Sequence, residues 1–205
     1  MSIAKEVQHY SRLAYERFLV GAAGGNVSAR DPESGLIAIT ATGISLRDIT
    51  EENVIYVDLD GRVRRGRTDL RPSKETQLHL AIYNLRAEMN AVVHVHPTYS
   101  TAYSLAGKPI PIRTVSAENK IIQLPVIKKA QAGSPELVSY IVETMRGIPP
   151  TLRVLVLEAH GLLGFGETLS MAYDVTELAE ETARVAAIAE GLGGSSYMTA
   201  RVGGG

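Results

Sequence analysis

"AVVHVH", residues Ala91–His96, places two of the chain's five histidines one residue apart in a run of valines. Side chains alternate across a β-strand, so this reading sets Val93 and Val95 on one side and His94 and His96 on the other. From these residues alone two readings stay open: core histidines with satisfied hydrogen bonds, or two ligands aimed at one metal ion. The paired spacing favours the metal, because two adjacent imidazoles in an apolar setting are costly unless both are neutral and usefully bonded.

The segments on either side read as an irregular alternation of helices and strands. Ile3, Val7, Tyr10, Ala14 and Phe18 recur at helical spacing, predicting an opening amphipathic helix of about four or five turns that ends at "GAAGGN". "LIAIT" (36–40) and "VIYVDL" (54–59) are strand-like, the second closed by the turn pair Asp60-Gly61. "RPSKETQLHLAIYNLRAEM" (71–89) predicts a helix capped by Ser73, with Leu78, Ile82, Leu85 and Met89 as its buried stripe. Glu75 and His79 lie one turn apart, off that stripe. "IIQLPVI" (121–127) is a weaker strand that Pro125 suits to an edge, and "SPELVSYIVETMRG" is a helix capped by Ser134 with Pro135 in first position. "LRVLVLE" (152–158) is apolar enough for a strand covered on both faces, and a long helix runs from about Thr168 to Glu190. No repeat or linker divides the chain. These elements predict one α/β domain over residues 1–190, with a central mixed sheet between helical layers, and a flexible C-terminal tail over 191–205 that contains Tyr197.

Composition narrows the chemistry. Of the 205 residues, 21 are Lys or Arg and 22 are Asp or Glu, so no overall basic field points to nucleic acid or an anionic membrane. The basic run "RVRRGR" (62–67) reads as the solvated second strand of a hairpin. Cysteine is absent, which leaves only N and O ligands for a metal. The N-terminus has no uninterrupted apolar core of signal-peptide type and no segment approaches the ~20 apolar residues of a membrane span, so the expectation is a soluble, cytoplasmic protein.

A catalytic zinc site usually takes three protein ligands and keeps a position open. His160 is the natural third, since it directly ends an apolar strand where sites form in α/β folds. The alternative is a histidine that merely opens the "HGLLGFG" turn. His9 and His79 suit surface or supporting roles better than ligation. "GGNVSAR" (24–30), "TATGIS" (40–45) and "RPSKE" (71–75) each offer groups suited to an anion, the last at a helix N-terminus. Any one alone is an ordinary turn or cap. Together with a metal triad they suggest a phosphorylated substrate. "GLLGFG" and "GLGG" lack the strand-to-helix setting of a dinucleotide site. Glu75 is either a helix-dipole partner or, beside a metal, a general acid/base.

Taken in order, "GGNVSAR", "TATG", "PSKE", "HVHP" and "EAHG" resemble the class II aldolase/adducin family over roughly residues 10–190. The resemblance implies a three-layer α/β/α fold around a largely antiparallel sheet and a homotetramer with active sites between subunits. It implies one Zn2+ per subunit on His94, His96 and His160, with Glu75 as displaceable fourth ligand and acid/base. It sets the substrate phosphate against Asn26, Thr42, Gly43, Ser73 and the position of Lys74. The implied activity is zinc-dependent, reversible cleavage of a ketose 1-phosphate of the L-fuculose 1-phosphate type, through a metal-bound enediolate, to dihydroxyacetone phosphate and an aldehyde. The fuculose-phosphate branch has serine where Lys74 stands and a neighbour's tyrosine where Val115 stands, whereas the epimerase branch usually has aspartate at position 75. Alternatives within the family are a sugar-phosphate 4-epimerase, a phosphorylated sugar-acid decarboxylase and a methylthioribulose-phosphate dehydratase. A non-enzymatic adducin-like domain would have lost the metal ligands, all of which are present here.

Overall fold

In a computed structural model, which describes residues 1–194, the apolar runs pair into one eight-stranded sheet and the amphipathic segments cover it. In chain order the elements are α1 (Ile3–Glu16), β1 (Asn26–Arg30), β2 (Ile37–Thr40), β3 (Val54–Val57), β4 (Val63–Arg65), α2 (Thr76–Leu85), β5 (Ala91–Val95), α3 (Thr98–Leu105), α4 (Val115–Lys120), β6 (Val126–Ile127), α5 (Pro135–Gly147), β7 (Val154–Leu157), β8 (Gly161–Gly166) and α6 (Leu169–Gly191). The strand order is β4-β3-β2-β1-β5-β8-β7-β6, and every pair is antiparallel except the edge pair β6–β7.

Each face of the sheet carries its own core. Val7 of α1, Tyr103 of α3, Ala117 of α4 and Ala179 of α6 pack with Val93 and Val95 on one side, while Leu78 and Ile82 of α2 and Ile141 of α5 pack with Val92 and Phe165 on the other. This is the expected three-layer α/β/α fold. Strands β1 and β5 hold the middle, with Asn26 opposite His94 and Ser28 opposite Val92. Opposed residues share a face, so Asn26, Ser28 and His94 all project toward α2.

Several segments differ from the sequence expectation. Helix α1 ends at Glu16, and Phe18 leaves its stripe with φ 59° and 85 % exposure. The reason is the closing turn: the Leu19 N–H reaches back to the Ala14 carbonyl, which puts Phe18 in the left-handed position and returns Leu19 to the core. "GGNVSAR" is only partly a loop, since Asn26–Arg30 form central strand β1, whose polar members on a buried face disguised it. Helix α2 starts at Thr76 with Glu75 as its N-cap residue, and the Ser73 hydroxyl accepts from the Glu75 N–H instead of capping the helix. Met89 is buried but lies beyond that helix. "GLLGFG" is not a turn but the wholly buried β8. The short helices α3 and α4 have no counterpart in the sequence reading. Tyr197 and the rest of 195–205 lie outside the described residues.

The basic run behaves as expected on the exposed edge strand β4. Arg62 and Arg64 pair with Asp60 and Asp58, Arg67 with Asp69, and Arg65 lies over the Tyr56 ring. Charged edges of this kind also discourage strand addition.

Helix α6 anchors the segment that follows His96. Its Glu180 carboxylate accepts from the N–H groups of Tyr99 and Ser100, both at 2.8 Å, and from the Ser100 hydroxyl at 2.7 Å, satisfying the first turn of α3. Replacing Glu180 with Ala strands these donors. The variant should lose about 2–3 kcal/mol of unfolding free energy, read as a lower urea midpoint at unchanged slope.

Candidate metal centre

Three separate elements bring four side chains to one point. Strand β5 delivers His94 and, one residue past its end, His96; the β7–β8 turn delivers His160; and the start of α2 delivers Glu75. The turn is tight, with Ala159 at φ 54° and the His160 N–H donating to the Leu157 carbonyl at 3.0 Å. Glycine is required next, because a Cβ at position 161 would overlap the Val95 carbonyl. Across the site, a Cβ at Gly24 would lie 2.7 Å from His96 Nδ1, so the loop before β1 is trimmed to admit that ring.

Nε2 of His94 lies 3.0 Å from Nε2 of His96 and 3.3 Å from Nε2 of His160. The Glu75 carboxylate closes the group, with Oε2 3.3 Å from His94 Nε2 and Oε1 3.5 Å from His160 Nε2. His94 Nδ1 is 2.9 Å from the Leu162 carbonyl, which can only accept, so Nδ1 carries the proton and the Nε2 lone pair points inward. Ligand atoms around a four-coordinate ion with bonds of about 2 Å stand about 3.3 Å apart, which these spacings match. Glu75 Oε1 is buried and has no hydrogen-bond partner, an expensive state for a carboxylate oxygen unless a cation meets it. The donor set thus fits a divalent metal.

Electrostatics agree with that fit. Burial, with His94 and then His160 alongside, lowers the His96 ring to about 3, and burial and His94 lower His160 to about 4, so both stay neutral and able to ligate. Burial pushes the Glu75 carboxyl up, but the adjoining His94, the Asn26 amide and His160 outweigh it and hold the group well below the usual carboxylate range.

Behind Glu75 lies a buried polar chain. Asn26 Nδ2 donates to Glu75 Oε2 at 2.9 Å, and Asn26 Oδ1 is 2.5 Å from His79 Nε2. His79 Nδ1 is 2.6 Å from the Ser28 hydroxyl, which is 2.8 Å from the Tyr83 hydroxyl. His79, placed by the sequence in a surface or supporting role, is fully buried and touches no metal-site histidine directly in this chain of bonds. Ser28 and Tyr83 have no role in the sequence reading. Their signal was the repeat Glu75, His79, Tyr83 at helical spacing facing Asn26 and Ser28 at strand spacing.

The anion-suited loops also meet. Ala41 bridges Pro72, the Thr42 N–H donates to the Arg71 carbonyl and the Ser73 N–H to the Thr40 carbonyl, so Thr42, Gly43, Ser73 and Lys74 lie on neighbouring loops. Thr42, Gly43 and Lys74 are exposed, and the Lys74 charge is felt at both His96 and His160. Val115 opens α4 and is 74 % exposed. No helix among the described residues is long and apolar enough to cross a membrane.

Comparison with known proteins places this geometry in a family. The model described as "Class II Aldolase and Adducin N-terminal domain" matches residues 5–187. An L-fuculose phosphate aldolase of Methanococcus maripaludis is 36 % identical over 174 residues, covering 85 % of this chain and 90 % of that protein. The L-ribulose-5-phosphate 4-epimerase UlaF of Salmonella paratyphi B is 34 % identical over 176 residues, covering 82 % and 76 %. A solved L-fuculose 1-phosphate aldolase superimposes with a TM-score of 0.83 at 29 % identity, over 93 % of this chain and 87 % of that one.

Burial lowers the His79 ring to about 3, against about 6.5 in the unfolded chain. Between these values the unfolded state binds the extra proton, so His79 makes stability fall as the pH drops below about 6.5. From pH 6.5 to 5.5 the metal-free wild type should lose about 1 kcal/mol more than a His79→Gln variant, compared by urea unfolding at each pH. Equal losses would contradict the buried neutral ring.

Proposed function

Because the chain belongs to the family of class II aldolase and adducin N-terminal domains, we propose that it is a cytoplasmic, metal-dependent aldolase. It cleaves a ketose 1-phosphate of the L-fuculose 1-phosphate type, reversibly, to dihydroxyacetone phosphate and an aldehyde. The observation that carries this reading is Glu75, a buried carboxylate held among three imidazole nitrogens with one oxygen left without a hydrogen bond.

His94, His96 and His160, with Glu75 as exchangeable fourth ligand, would hold a zinc ion, which would supply Lewis acidity for the chemistry of the substrate's oxygens. Thr42, Gly43, Ser73 and Lys74 receive the phosphate, with the second N–H of the Asn26 amide, since the first is committed to Glu75. In the synthetic direction Glu75 removes a proton from the hydroxyl-bearing carbon next to the carbonyl of dihydroxyacetone phosphate. In cleavage the hydroxyl that becomes the aldehyde carbonyl gives its proton to solvent water, the electron pair of the breaking carbon–carbon bond passes to the hydroxyl-bearing carbon next to the ketone, and protonated Glu75 then delivers a proton to that carbon. A carboxylate held ionised at neutral pH is the right resting state for the first of these steps. Assembly into a homotetramer with active sites between subunits is part of this reading, as the family resemblance implies.

Lys74 favours a second reading, in which the substrate carries a carboxylate as well as a phosphate and loses CO2 at the same centre. Turnover of ketose 1-phosphates, 4-phosphorylated keto acids and pentulose 5-phosphates by the metal-loaded enzyme separates aldolase, decarboxylase and 4-epimerase chemistry. Activity is expected with the first class, and inactivity with all three would return the chain to a binding role. Glu75→Gln should retain its metal by elemental analysis while exchange of the dihydroxyacetone phosphate proton into D2O slows by at least about 10²-fold. Exchange at the wild-type rate would remove Glu75 from the mechanism.

A further inference from the structure

The polar chain behind Glu75 is buried along its whole length: Glu75 is 3 % exposed, Asn26 4 %, Tyr83 2 %, and His79 and Ser28 are fully enclosed. Its proton directions follow from the chemistry of its last member. An ionised carboxylate only accepts, so Asn26 must turn its amide nitrogen to Glu75 Oε2 and its oxygen to His79. His79 Nε2 then carries a proton and donates it to Asn26 Oδ1. In the neutral ring Nδ1 is bare and accepts from the Ser28 hydroxyl. With the Ser28 proton committed, the Tyr83 hydroxyl donates to Ser28 Oγ. Every bond from Tyr83 to Glu75 therefore runs the same way.

We propose that His79, with Ser28 and Tyr83 behind it, is a positioning residue that locks the Asn26 amide so that Glu75 Oε2 is held as an acceptor and Oε1 is the oxygen that exchanges the substrate proton. Three observations support it. Oε1 is the buried oxygen without a partner. Asn26 has no internal means of choosing its orientation, because its two amide ends differ only in donor and acceptor character. The link next to Glu75 is an amide, which does not relay protons readily, so the role of the chain is orientation and not proton supply. Were Asn26 to turn over, its oxygen would face the carboxylate and repel it from the position in which it meets the imidazoles.

The inference rests on the acid–base role assigned to Glu75, and its test has a readout independent of turnover. A glutamine at position 79 can place an amide N–H near the site of Nε2, keeping the donor to Asn26. An asparagine reaches only the site of Nδ1 and loses it. The full chain is loaded with cobalt(II), whose visible spectrum reports the arrangement of its ligands, and kcat and KM are measured on the substrate that the wild type turns over. His79→Gln should keep the wild-type spectrum and stay within about threefold in kcat. His79→Asn should shift the spectrum and lower kcat at least about tenfold with KM little changed, the mark of a loss felt after binding. If His79→Asn does not fold, Ser28→Ala, which removes the donor to Nδ1, should move the spectrum and kcat in the same direction by a smaller factor. A wild-type spectrum and kcat in His79→Asn, or equal loss in both His79 variants, would overturn the proposal. An inactive wild type with the spectral contrast intact would sink the aldolase reading and leave the positioning role standing.

Discussion

The Glu75 carboxylate is almost entirely removed from water and faces three imidazole nitrogens, so protein groups must meet its charge in place of solvent. Much of the molecule's centre follows from that requirement. The start of α2 supplies the carboxylate, β1 supplies the Asn26 amide, and β5 and the β7–β8 turn supply the imidazoles. None of these elements can shift by one residue without breaking the set. A one-residue slip between β1 and β5 would carry Asn26 to the opposite face from His94.

The sheet separates two tasks by the alternation of its strands. Val93 and Val95 join the core beneath α1, α3 and α6, and the same strand turns Val92 and His94 toward α2. Apolar packing on both faces thus holds polar side chains at fixed positions inside a low-dielectric setting, where each hydrogen bond is strong and each unpaired atom costly. Glu180 extends this support outward, since it ties the turn after His96 to the long helix α6. Exposed Lys74 adjoins Glu75 in the chain, and the loop at Thr42–Gly43 is tied to the same segment through the Ala41–Pro72 bridge.

Much of this was legible in the chain. The valine–histidine alternation at Ala91–His96 marked the strand, the cap and proline at Ser134–Pro135 marked α5, and the unbroken apolar run before Glu158 marked β7. The segments that local pattern conceals have physical reasons. Asn26 and Ser28 are polar, so β1 lacks the apolar pattern of a buried strand, and it is His79 and Tyr83 of α2 that satisfy them. Phe18 fits the helical period of α1, yet a closing turn rather than the stripe determines its place. Gly161–Gly166 suggests a turn because of its glycines, but those glycines let β8 approach β5 and α6 closely.

The sequence alone determined the kinds of ligand available, because a chain without cysteine has only imidazole, carboxylate and other N or O donors to offer a metal. It also determined that His94 and His96 share a face, since that follows from the period of a strand. Only the tertiary structure decided that His160 and Glu75 complete the group, that Asn26 presents its nitrogen and not its oxygen to Glu75, and that His79 stands behind it. These depend on the distances and directions of hydrogen bonds between residues about fifty or more positions apart, and local periodicity contains no information about such contacts.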